Sequence, residues 1–112
     1  MIENDLYKSL LDDLAYAVKL STNGELNKSR VIARQVSGKA IRELFKQLKY
    51  PTSPSINPYQ YLLLAKNEEE IFKPIAFELD ALTTKVNPDY SFPDDLDLIT
   101  YAKNIIQFSK NF

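Results

Sequence analysis

GELNKSRVIARQVSGKAIRELFKQLKY, Gly24 to Tyr50, is the stretch whose reading decides the fold. Its apolar residues Leu26, Ala33, Ala40, Ile41, Leu44 and Leu48 recur at helical spacings of three, four and seven. Val31, Ile32, Val36 and Phe45 widen that stripe beyond a narrow coiled-coil seam, as a helix covered by several neighbours requires. No proline interrupts it, and Tyr50-Pro51 is expected to end it. At about 1.5 Å per residue, such a helix runs on the order of 37 Å. Residues 25 to 49 also hold seven of the fourteen basic residues and only two acids, Glu25 and Glu43. That is a local charge of +5 against −6 for the remainder, which carries seven bases and thirteen acids. Opposed charges of this kind imply internal complementarity or an association surface, and they weaken bulk attraction to nucleic acid.

Upstream, Asn4 or Asp5 is expected to cap a first helix running to about Leu20, with Tyr7, Leu10, Leu11, Leu14, Ala17 and Val18 as its apolar period. Ser21-Thr22-Asn23-Gly24 reads as a turn, short enough to make the first two helices antiparallel neighbours. Downstream, PTSPSINP is an uncharged loop whose last proline, Pro58, suits the first position of a short helix over Tyr59 to Ala65. Asn67 reads as a fresh N-cap, with Glu68, Glu69 and Glu70 in the first turn that follows. Ile71, Ile75, Leu79, Leu82 and Val86 continue the period of helix three, and Pro74 within it predicts a kink, with two short helices meeting near Lys73 as the alternative. After a second proline-bearing loop, residues 87 to 93, Asp94 or Asp95 is expected to cap a last helix reaching about Lys110. The expected architecture is all-α: one domain over residues 1 to 112, an antiparallel up-and-down four-helix bundle with a short extra helix before helix three.

The composition excludes much chemistry. The chain has no cysteine and no histidine, so thiolate chemistry, disulfides, catalytic triads and histidine-containing zinc sites are closed to it. Two glycines make no phosphate-cradling loop. The longest apolar run, Leu62 to Ala65, is far short of a membrane span, and MIEND lacks a basic signal-peptide region, so a cytoplasmic protein is expected. Clustered carboxylates at Asp12-Asp13, Glu68 to Glu70, and Asp94, Asp95 and Asp97 have a simpler reading as helix starts and solvated faces than as a metal site. No cofactor is expected.

On the second helix, Lys28, Gln35, Lys39, Arg42, Lys46 and Lys49 fall on one face, and Arg30 and Arg34 form an adjacent basic row. Arg34, Lys39, Arg42 and Lys46 are the candidate binding residues, for RNA, phosphate or an acidic protein. The competing reading is a solvated face whose cations answer acids on neighbouring helices; no aromatic interleaves the row to stack bases. Ser37 and Gly38, small residues in mid-helix, read as a point of close helix approach. Tyrosines 50, 59, 61, 90 and 101 are expected near the loops, in an interface or at the ends of the core.

The order of elements, and ELNKSRVIARQVSGKAIRELFKQL with Tyr90-Ser91-Phe92-Pro93-Asp94 followed by LDLITYAKNIIQF, resembles HEPN domains, in particular those associated with nucleotidyltransferases. On that likeness Phe92, Pro93 and Asp94 take the tyrosine, proline and aspartate places of a family loop, and Ser91 replaces its arginine. The resemblance implies a helical bundle that often dimerises. Some members partner a minimal nucleotidyltransferase, and others are metal-independent RNases of toxin or defence systems. Those RNases pair an arginine with a histidine, which this chain lacks. A non-catalytic member is therefore expected: a binding protein, homodimeric or accessory to a nucleotidyltransferase, in a toxin–antitoxin or defence setting. Two other readings stand beside it. One is a small immunity or inhibitor protein that uses the C-terminal IIQFSKNF as a recognition tail; the other is an RNA-binding module built on the basic face of the second helix.

Overall fold

The computed structural model describes residues 2–84 and 97–112. They form α-helices α1 (Asn4–Thr22), α2 (Leu26–Gln47), α3 (Pro58–Lys66), α4 (Glu69–Phe72), α5 (Ala76–Leu82) and α6 (Leu98–Asn111), with a 3-10 turn at Lys73–Ile75 between α4 and α5. No strand occurs among the described residues. Among them, no helix is long and apolar enough to cross a membrane.

α2 is the centre of the packing, lying against α1, α3 and α6 at once. Its Ala33, Ala40, Ile41 and Leu44 are fully enclosed, with Val36 and Phe45 nearly so, as the width of the apolar stripe requires. Close approach is set by small side chains. Ser29 on α2 donates its hydroxyl to the Ala17 carbonyl of α1 at 2.6 Å, and Gly38 lies against the backbone of Pro58 at the start of α3. The small residues at positions 37 and 38 are thus packing features; Ser37 returns its hydroxyl to the Ala33 carbonyl within the helix at 2.7 Å.

The two longest helices end in the same way. At the close of α1, the Gly24 N–H meets the Ser21 carbonyl and the Glu25 N–H meets that of Leu20, with Gly24 at φ 85°. At the close of α2, Lys49 N–H meets Lys46 O and Tyr50 N–H meets Phe45 O, with Lys49 at φ 63°. Both are Schellman closures, which satisfy carbonyls that the last turn would otherwise leave open. They also correct the expected boundaries: α1 passes Leu20 to reach Thr22, and α2 stops at Gln47, before Tyr50-Pro51. Glycine takes the left-handed conformation freely, but Lys49 pays about 1 kcal/mol for it. Lys49→Gly is expected to raise stability by roughly 0.5–1 kcal/mol, read as a higher urea midpoint with an unchanged slope; a lower midpoint would show that the Lys49 side chain matters more than its backbone.

α3 begins at Pro58, as expected, with a reciprocal cap that was not foreseen. Asn57 accepts from the Gln60 N–H, the Gln60 side chain accepts from the Asn57 N–H, both at 2.9 Å, and Pro58 occupies the first turn. The loop before it is pinned by Tyr61, whose hydroxyl accepts from Ser53 N–H at 3.1 Å. Asn67, however, is the C-cap of α3 rather than a new N-cap, and Glu68 stands at the N-cap of α4 with no side-chain hydrogen bond to it. Pro74 splits helix three instead of kinking it. The ring and the missing N–H disfavour a regular α-helix at this point, and Phe72 (φ −102°, ψ 13°) and Ile75 (φ −119°, ψ 22°) both leave α geometry around the 3-10 turn.

α6 is capped by Asp97, which accepts from the Thr100 N–H at 3.1 Å and from its hydroxyl at 2.7 Å. Asp94 and Asp95, and Val86 at the expected end of helix three, lie outside the described residues. The far end of α6 is built into the core: Ser109 is fully buried and its carbonyl accepts from Ile2 N–H at 3.2 Å. Of IIQFSKNF, Ile105 and Ile106 are enclosed as well, leaving Phe112 as its one exposed large hydrophobic.

Candidate interaction surface

At about 100° per residue, the buried positions of α2 occupy little more than half of its circumference, and Gln35, Lys39, Arg42 and Lys46 share the opposite arc with Lys28. The four candidate residues are therefore not brought together. Lys39, Arg42 and Lys46 form one row, while Arg34 points roughly 140° away from Lys39, on the core side with Arg30. Helical spacing alone placed Arg34 in an adjacent row; its partners show why it belongs to the interior.

Arg34 is partly buried and donates from Nη2 to the Thr84 carbonyl, while its guanidinium lies 5.4 Å from the centre of the Tyr59 ring. The Tyr59 hydroxyl donates to the neighbouring Thr83 carbonyl at 3.1 Å, and Lys66 reaches the Thr83 hydroxyl at 3.2 Å. Burial lowers the Arg34 pKa from its usual value, with Tyr59 acting in the opposite direction. An arginine stays protonated through such a shift, so the charge is kept and used. The arrangement ties α2 and α3 to the end of α5. Arg34→Met keeps most of the stem and removes both interactions, with an expected loss of about 1–2 kcal/mol in urea unfolding. Arg34→Lys should recover only part of it, because an ammonium lacks the planar fork and stacks less well. Equal stability for all three proteins would remove the clasp from the list of stabilising features.

The outward row behaves differently. Lys46 lies 3.9 Å from Glu43, and Lys28 lies 3.1 Å from Glu25, so both pairs run along the same helical stretch with mostly exposed partners. Pairs of that kind contribute only about 0.3–0.5 kcal/mol each. Among the described residues, no ion pair joins Lys28, Lys39, Arg42 or Lys46 to an acid on α1, α3 or α6. The expected answering of these cations by neighbouring helices is thus not what holds the fold together. Arg42 is partly buried, and its Nε is enclosed without a hydrogen-bond acceptor among the described residues. Val31, on the same side, is 45% exposed.

The remaining candidates separate. Phe92, Pro93 and Asp94, the family-like loop, lie outside the described residues, as does Tyr90. Tyr50 and Tyr61 meet edge-on at Phe45, with ring centres 5.4 and 5.8 Å away, so two of the loop tyrosines serve the core. Tyr101 stacks edge-on with the exposed Phe77 at 5.3 Å. Among the described residues, no three acidic side chains converge as metal ligands would.

One feature escaped the sequence reading: a cleft of about 390 Å³ where α3 meets α4 and α5. Ala65, Phe72, Ala76 and Leu79 contribute to its lining, and Lys66 is engaged at its edge by Asp80 at 3.4 Å. The small residues Ala65 and Ala76, both in its lining, were its only signal. No family model, curated protein or solved structure matches this chain.

Proposed function

We propose that this chain is a non-catalytic, HEPN-like helical-bundle binding protein, with its longer helices arranged up-and-down and antiparallel. It works in the cytoplasm as a homodimer or as the accessory subunit of a separately encoded nucleotidyltransferase, in a toxin–antitoxin or defence setting. The observation that supports binding is the outward row of α2, where Lys39, Arg42 and Lys46 carry charge that no described neighbouring helix neutralises. A row of cations without an acidic partner on a neighbouring helix is the feature an association surface needs. A chain without histidine or cysteine is also better suited to binding than to acid–base or nucleophilic chemistry.

Light scattering at micromolar concentration, in low and high salt, tests this reading. It is run on the protein alone and mixed with a nucleotidyltransferase from a neighbouring reading frame. The expected mass is that of a dimer or a one-to-one complex, reduced as salt screens the surface charges. A monomer under every condition would overturn the reading.

A further inference from the structure

We infer that the outer face of α2 docks an acidic amphipathic helix of a different protein, whose carboxylates meet Lys39, Arg42 and Lys46. This rests on the binding reading above and names the surface and the class of partner.

Three arguments converge on that occupant. First, the three cations stand at steps of three and four, about 10 Å from end to end along the axis. A second helix with glutamates or aspartates at the same steps matches all three at once. Val31 and Gln35 extend the face by further turns, and the exposed Val31 supplies an apolar foothold beside the charges. Second, the three positions are graded. Lys46 is exposed, Lys39 is partly buried, and Arg42 is partly buried with an enclosed Nε. A carboxylate at a partly desolvated arginine is held more strongly, and with more directional preference, than at a hydrated lysine. Third, the competing occupants meet repulsion. A two-fold contact of α2 with its own copy would set the same cations against one another, so a homodimer would have to use another face. The −6 of the remaining chain opposes any anion alike, but a nucleic acid would in addition find no aromatic residue in the row on which to stack a base.

The test uses a labelled synthetic peptide, an amphipathic helix with one glutamate stripe, and follows its fluorescence anisotropy with the full chain at low salt. Its glutamine counterpart and a single-stranded uridine oligonucleotide are measured alongside. Two charge-reversed variants are compared: Lys39→Glu/Arg42→Glu/Lys46→Glu, and a control of equal net charge, Lys8→Glu/Lys73→Glu/Lys103→Glu, at exposed positions elsewhere. The α2 variant is expected to weaken peptide binding at least about tenfold, and the control less than about threefold. The glutamine peptide and the oligonucleotide are expected to bind at least about tenfold more weakly than the acidic peptide. Should reversal at the partly buried Arg42 disturb folding, Lys39→Gln/Lys46→Gln keeps that arginine and is expected to show the same direction of change. Absence of peptide binding, equal loss in the two reversed variants, or tighter binding of the oligonucleotide would overturn the proposal. A nucleotidyltransferase complex that persists by light scattering in the α2 variant would remove this surface while leaving the binding reading in place.

Discussion

Gly38→Ala is expected to destabilise the protein by about 2–4 kcal/mol, although alanine is the better helix former by about 1 kcal/mol. A Cβ at position 38 would stand 2.1 Å from the carbonyl oxygen of Pro58, 2.4 Å from its carbonyl carbon and 2.6 Å from its Cα. These are backbone atoms, and they cannot rotate away as a side chain would. Neither can the start of α3 give easily, because the reciprocal Asn57–Gln60 cap and the Pro58 ring fix its conformation. α3 must therefore move bodily off α2, loosening the packing of Tyr61 and Leu62, both fully buried. For a domain of this size, the melting temperature should fall by about 10–20 °C. The sign makes the experiment decisive: if α2 and α3 were not in backbone contact, the same substitution would stabilise the helix and raise the melting temperature.

Phe72→Ala is expected to cost about 3–5 kcal/mol. Phe72 is the one buried residue of α4, which has only four residues and no side-chain cap, so α4 has little helical stability of its own. Its ring lies 5.9 Å from that of Phe45 on α2 and 6.0 Å from that of Phe108 on α6. Truncation would leave a cavity among three elements and release the segment that leads into the 3-10 turn. Urea unfolding should show the loss, and Phe72→Leu, which retains most of the buried volume, should show roughly a third of it. A midpoint for Phe72→Ala close to that of the parent protein would mean that α4 packs elsewhere.

Helical character was legible because each long helix carries its own period. Leu10, Leu14 and Ala17 on α1, and Ala33, Ala40 and Ile41 on α2, are both spaced for one face and buried on it. Local chemistry also revealed Pro58 at the start of α3 and the turn at Gly24, since each depends on residues within a few positions. Boundaries were less legible. Lys49 adopts a left-handed conformation that its residue type does not announce, and the closing bonds of α2 require it. Pro74 signalled disruption, but not the choice between bending and splitting, which depends on how Phe72 and Ile75 are drawn into the core.

The candidate surface divides along the same line. That α2 is cationic on one face is a matter of residue type and helical period, and the sequence determined it. Which cations remain available was decided by tertiary structure. Arg34 is taken into the junction of α2, α3 and α5 because Tyr59 and the Thr84 carbonyl come within its reach there, across 25 and 50 positions of chain. Lys39, Arg42 and Lys46 are left in the outward row because α1, α3 and α6 cover the other side of the helix. Periodicity specifies which residues share a face, but only the neighbours that fold against a helix decide which charges are desolvated, paired or left for another molecule.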